Sequence, residues 1–211
     1  MKKAVDSPCA PQVELAAASL LLGYSARVAA PMTNLSDAAR RSLIRPDVKI
    51  ACSVDDMIWP DIWTLHQRRQ QSRWVGYVQD LWASLIDLRD AADAAHLRPG
   101  HDYLEIAVTV RVSRGDTARW MARVGEFDPP CPPVARSLGF DVADEFLMSG
   151  LSNGTFVPVE DEQMRRRWGP LVNAVHLFTE EAAAQAFVPV AAHRYAEHAP
   201  FYCFEVLALT R

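Results

Sequence analysis

The sequence predicts an α+β fold, a mostly antiparallel sheet with helices grouped on one face and the C-terminal strand central. Three observations carry this. Leu104, Ile106, Val108, Val110 and Val112 alternate with Glu105, Ala107, Thr109 and Arg111, the period of a strand with one solvated face, commoner in antiparallel sheets. Residues 201–209 are apolar in both parities, as a strand buried on both faces should be. Helical periodicity is concentrated in 55–98 and returns at 160–168 and 179–187, so helices and strands are grouped rather than strictly alternating.

The elements follow in order along the chain. Val13, Ala16, Ala17, Leu20, Leu21 and Tyr24 recur at helical spacing behind Pro11, which predicts a first helix. Ser36 is placed to cap a short helix over 37–45, which Pro46 stops. Val48, Ile50, Cys52 and Val54 alternate with Lys49, Ala51 and Ser53, predicting a half-buried strand. From Ile58 through Trp82 and Leu88 to Ala92 an apolar stripe at 3.6 spacing predicts two helices, or one broken helix, ending at Arg98-Pro99-Gly100. After the 104–112 strand, Asp116 is placed to cap a helix reaching Val124. Pro129-Pro130-Cys131-Pro132-Pro133 is a stiff connector and the best boundary between subregions. Leu138, Phe140 and Val142 mark a strand, and Phe146, Leu147 and Met148 a second buried segment.

The 211 residues make one domain, 1–211, with a helical subregion over 1–100 and a mixed one over 101–211. Half the residues are hydrophobic and the formal net charge is −4, which excludes a disordered chain. Residues 1–100 carry 12 basic and 11 acidic side chains, and 101–211 carry 10 and 15, so neither half has the basic footprint of a nucleic-acid binder. Nineteen Arg stand against three Lys, and Lys2, Lys3 and Lys49 all precede residue 50. Lysine-dependent phosphate and Schiff-base chemistry is therefore absent from the rest of the chain. Cys9, Cys52, Cys131 and Cys203 form no C-x-x-C pair and read as reduced, mostly buried thiols of a cytoplasmic protein. Lys2, Lys3, the apolar 15–22 stretch and Val28-Ala29-Ala30 imitate an export signal, the lesser alternative because Asp6, Pro8, Pro11 and Glu14 interrupt it. No apolar run reaches the length of a membrane span.

Gly150-Leu151-Ser152-Asn153-Gly154 fits G-x-S-x-G and is similar to the nucleophile turn of the α/β-hydrolase type of serine hydrolase. The resemblance implies Ser152 as nucleophile, Asp161 (or Glu180 or Glu181) as the orienting acid and His198 (or His193) as base. Thr155-Phe156-Val157-Pro158 is extended in character where such a turn requires a helix, so an ordinary Gly/Ser/Asn turn is the stronger reading. His193 and His198, five apart, would diverge by roughly 140° on a helix and cannot share a metal there. His198-Ala199-Pro200 reads as the turn into the last strand, and His66, His96, His101 and His176 as solvated or helix-terminal residues. Glu160-Asp161-Glu162 followed by Arg165-Arg166-Arg167 complements a helix dipole rather than forming a phosphate site. No nucleotide cradle, cofactor site or metal site is expected.

The preferred reading is a non-enzymatic bacterial cytoplasmic protein that binds another protein stoichiometrically, such as an immunity (toxin-neutralising) or adaptor protein. Arg68, Arg69 and Arg73 beside Trp63 and Trp74, and the acidic pair Asp144 and Glu145, are the interface candidates. A small esterase-like serine hydrolase is the alternative. Neither reading calls for nucleic acid or a membrane.

Overall fold

The structure, a computed structural model, describes residues 18–27, 43–45, 47, 52–55, 81–82, 84–124, 135–151 and 162–210. Four strands, β1 (Ala18–Arg27), β2 (Leu104–Val112), β3 (Ala135–Asp144) and β4 (Phe201–Leu209), form one sheet in the order β1-β2-β4-β3. Every neighbouring pair is antiparallel, and β4 lies inside the sheet as its two-sided apolar pattern predicts. Among the described residues four α-helices accompany it: α1 (Leu85–Ala94), α2 (Arg114–Val124), α3 (Glu162–Trp168) and α4 (Glu181–Arg194). The fold is α+β.

Residues 18–27, expected at the end of a helix, are β1. Leu20, Leu21 and Tyr24 fit a helical stripe, but Leu22, Tyr24 and Ala26 equally fit alternation, and short apolar runs satisfy both periods. Pairing with β2 along its whole length decides the matter. Leu81 and Trp82, expected on a helix, run beside β1 instead. Tyr24 N–H donates to the Trp82 carbonyl at 2.8 Å and Trp82 N–H to the Tyr24 carbonyl at 2.6 Å.

The opposite edge is closed in the same way. Phe140 and Phe178 exchange two backbone hydrogen bonds of 2.9 and 2.8 Å beside β3. Each edge strand is irregular at a glycine, Gly23 or Gly139. A Cβ at Gly23 would stand 2.7 Å from the Trp82 carbonyl oxygen, and one at Gly139 2.6 Å from that of Phe178. Both glycines let a covering segment reach the edge, which blunts it against pairing with another chain.

α1 and α4 lie over one face, the grouping that the sequence predicts. Phe187, Ala184 and Ala191 of α4 pack with Val142, Phe201 and Cys203, and Leu88 and Ala92 of α1 pack with Ala107, Tyr24 and Leu209. The other face holds Ile106, Val108, Val110, Phe204 and Val206, against which α2 sets Trp120 edge-on to Tyr202 and Phe204, with ring centroids 5.1 and 5.8 Å apart. β2 is therefore covered on both faces, and its polar face is not solvated as expected. Glu105 is buried because Arg89 of α1 reaches it with two hydrogen bonds of 3.0 and 2.6 Å. Arg111 is shared by Glu205 at 2.7 Å and Glu181 at 3.3 Å.

Other boundaries shift for local reasons. α1 starts at Ser84, whose hydroxyl accepts the Ile86 and Asp87 amides, and it ends before Arg98-Pro99-Gly100. At α2 the capping residue is Ser113, not Asp116: the Ser113 hydroxyl accepts the Asp116 amide and donates to its carboxylate. α4 runs past the expected end at Phe187, through Pro189 to Arg194, because Ala191 continues its buried face. The expected strand over 48–54 is not one where it is described: residues 52–55 belong to no strand of the sheet. The predictions over residues 1–17, 28–42, 56–80, 125–134 and 152–161 lie outside the described residues.

Candidate functional site

Two buried carboxylates on β3, Asp141 and Asp144, organise the surroundings of the sequence motif. Asp141 is fully buried, and each of its oxygens accepts two hydrogen bonds. Oδ2 takes the Ser53 hydroxyl at 2.7 Å and the Val54 amide at 2.9 Å; Oδ1 takes the Ser149 hydroxyl at 2.7 Å and the Val142 amide at 2.8 Å. Each serine also accepts the amide two residues on, Asp55 for Ser53 and Leu151 for Ser149, so both hydroxyl protons are directed at Asp141. Asp55 adds a bond from the Ser149 amide, and Arg27 donates to the Val54 carbonyl at 2.9 Å. Burial pushes the Asp141 carboxyl above its ordinary range against the opposing pull of these donors. This knot explains why residues 52–55 are not a strand: Asp141 takes the Ser53 hydroxyl and the Val54 amide.

Ser149-Gly150 returns antiparallel beside β3, with Ser149 opposite Ala143 and the Gly150 amide bonded to the Val142 carbonyl at 2.7 Å. Gly150 fits because a Cβ there would stand 2.9 Å from the Ala191 Cβ. The first glycine of the G-x-S-x-G motif is thus accounted for by packing under α4. Ser152 and Asp161 lie outside the described residues. His198, in the 3-10 turn Ala196–His198 that leads through Ala199-Pro200 into β4, places Nδ1 3.3 Å from Asp144 Oδ2. His193 sits in the last turn of α4.

Asp144, proposed from sequence as a surface charge, is buried. Its Oδ1 accepts the Phe146 and Met148 amides at 2.8 and 2.9 Å, so it holds the turn that follows β3. Burial raises its carboxyl despite these donors and the nearby His198. Within that turn Leu147 has φ 64°, a left-handed conformation that a branched side chain adopts at a cost of about 1–2 kcal/mol. Its side chain enters the core, while Phe146, expected to be buried beside it, is 56% exposed. Glu145 pairs with Arg119 of α2 at 2.6 Å. Arg68, Arg69 and Arg73, the other interface candidates, lie outside the described residues.

Arg119 also borders a cleft of about 430 Å³ at the end of the sheet, between α2 and α4. Phe201, Tyr202 and Cys203 of β4 contribute to its lining, with Arg111, Ser113 and Asp116 on one side and Gln185 and Val188 on the other. Burial lifts the Cys203 thiol to about 12, so it is protonated and a poor nucleophile at neutral pH. His176, expected to be solvated or helix-terminal, is wholly buried with φ 62°. Its Nε2 accepts the Arg45 amide at 3.2 Å, and burial beside Arg45 depresses its pKa to about 4. Among the described residues no three His, Cys, Asp or Glu are placed to hold a metal ion, and no helix is long and apolar enough to cross a membrane.

The chain matches no protein-family model, and no curated protein or solved structure is found similar to it.

The sequence reading missed the Asp141 knot and the Phe146 turn. An aspartate at position 141, inside an otherwise apolar strand, was the available signal for the first, since a buried carboxylate requires partners. For the second, the only local sign was Asp144 two residues before Phe146, the spacing of an Asx turn.

Proposed function

We propose that this protein acts without catalysis, by binding another protein stoichiometrically in the manner of an immunity or adaptor protein. The single observation that carries this reading is the turn after β3. A buried carboxylate accepts two of its amides, Leu147 takes a left-handed conformation within it, and it presents Phe146, 56% exposed, next to Glu145 of the Glu145–Arg119 pair. A rigid aromatic next to charged groups is the usual make-up of an interface hot spot, because it buries area at little cost in conformational entropy. Backbone strain concentrates where a fixed shape is used. Action in the cytoplasm fits the free, buried thiols of Cys52 and Cys203.

The test places a benzophenone amino acid at position 146 in the native host. A stoichiometric cross-link to one protein, together with loss of the purified complex in Phe146→Ser and its retention in Ser152→Ala, is expected. Turnover of esters by the purified chain, with fluorophosphonate labelling of Ser152, would overturn the proposal.

The second reading, a small serine hydrolase using Ser152, draws on the contact between His198 and Asp144. That contact supports Asp144 rather than Asp161 as the acid behind the imidazole. For this reading Ser152→Ala, His198→Ala and Asp144→Asn must each abolish fluorophosphonate labelling or ester turnover in folded protein.

A further inference from the structure

We propose that the cleft between α2 and α4 receives a basic side chain of the protein partner. The inference rests on the binding reading above and extends it to the partner's chemistry.

Charge is the first argument. Among the described side chains, the cleft and the ion pairs on its walls contain two cations, Arg111 and Arg119, against four carboxylates, Asp116, Glu145, Glu181 and Glu205. Arg111 is already shared by Glu205 and Glu181, and Arg119 is taken by Glu145. Among these described side chains the carboxylates outnumber the cations. Asp116 accepts the Ser113 hydroxyl at 2.7 Å and borders the cleft. The start of α2 would by itself favour an anion, but its Asp116 amide is turned onto Ser113.

Shape is the second argument. About 430 Å³ is at the lower end of the range for ligand sites, too large for an ion and suited to one long side chain. Phe201 and Val188 provide apolar wall for a methylene stem, and Asp116 stands on the wall for the charged head. Continuity is the third. Arg119 both lines the cleft and pairs with Glu145, the residue before Phe146. A partner anchored on Phe146 therefore has the cleft beside it.

The experiment follows backbone amide shifts of the full chain on titration with three blocked pentapeptides, Gly-Gly-Xaa-Gly-Gly with Arg, Lys or Glu at the centre. Shifts confined to 113–119, 185–188 and 201–203 are expected with the Arg peptide, weaker with Lys and absent with Glu. Raising salt from about 50 to 500 mM should lower the Arg affinity at least threefold, since screening acts on exposed charges. Asp116→Asn should lower it at least fivefold. Because Asp116 sits in the first turn of α2, Glu181→Gln serves as the second variant, with an expected loss of at least twofold. No localised shift with the Arg peptide, or stronger binding of the Glu peptide, overturns the proposal. Phe146→Ser separates this proposal from the binding reading. Peptide binding retained at the cleft with no cross-linked partner at position 146 leaves the cleft and removes the reading, and the reverse result removes the cleft alone.

Discussion

Asp141 and Asp144 stand three residues apart on β3, both buried, and their hydrogen bonding differs in kind. Asp141 has both oxygens saturated, each by one serine hydroxyl and one backbone amide. Asp144 has one oxygen saturated by two amides, while the other faces His198 at 3.3 Å without hydrogen-bond alignment. A saturated buried carboxylate can only hold the fold. A half-used one holds a turn and still senses the surface, because His198 is partly exposed.

The largest effect is expected from Asp141→Asn. Either orientation of the new amide puts its NH₂ against a backbone N–H, that of Val54 or of Val142, and a backbone donor cannot rotate away as a hydroxyl can. We expect a loss of about 3–4 kcal/mol in chemical denaturation, close to that of Asp141→Ala, since buried donors are left unsatisfied in both. An effect below about 1 kcal/mol would mean that the knot is not formed as described.

The pH dependence comes next. His176 falls from its ordinary 6.5 to about 4 on folding, so it is neutral in the fold, and below pH 6.5 the unfolded chain binds its proton first. Stability from this group is complete above about 6.5 and is lost as pH falls toward 4, by roughly 3 kcal/mol at 1.36 kcal/mol per unit. Asp144 runs the other way. Its carboxyl is raised on folding, so the unfolded chain releases the proton first, and stability present below its ordinary 3.8 is lost as pH rises through the folded value. Denaturation from pH 4 to 7 should show the His176 slope removed in His176→Gln and made steeper in Asp144→Asn, which deletes the opposing term.

At neutral pH, Asp144→Asn should cost less than Asp141→Asn, about 1 kcal/mol or less. An asparagine oxygen still accepts the Phe146 and Met148 amides, and its NH₂ replaces only the oxygen that faces His198. The smallest effect is expected at Phe146 itself: Phe146→Ser should leave thermal stability within about 0.5 kcal/mol of the parent while removing partner binding.

Much of the fold could be read in advance where one period dominates. The alternation in β2, the two-sided apolar run of β4 and the dipole-matched charges of α3 each lead to a single answer. β1 reads as helix from sequence because its apolar run fits both periods, and the tie is broken by pairing with a strand some eighty residues away. Residues 52–55 alternate like a strand but are held by Asp141, a partner from 88 residues along the chain in the case of Ser53. Of the candidate site, Gly150 reads from sequence as part of a turn, with no sign of its packing under α4, whereas the turn at His198 was legible. The role of Asp144 was not, since an acidic residue beside Glu145 reads as surface until its burial is known.

Sequence alone determined the α+β class, the central C-terminal strand and the exclusion of lysine chemistry after residue 49, because periodicity and composition are local properties. Tertiary structure decided which buried carboxylate is saturated, which aromatic is exposed and which side chains line the cleft. Those depend on which distant groups come within about 3 Å of one another, the reach of a hydrogen bond, and no local pattern encodes it.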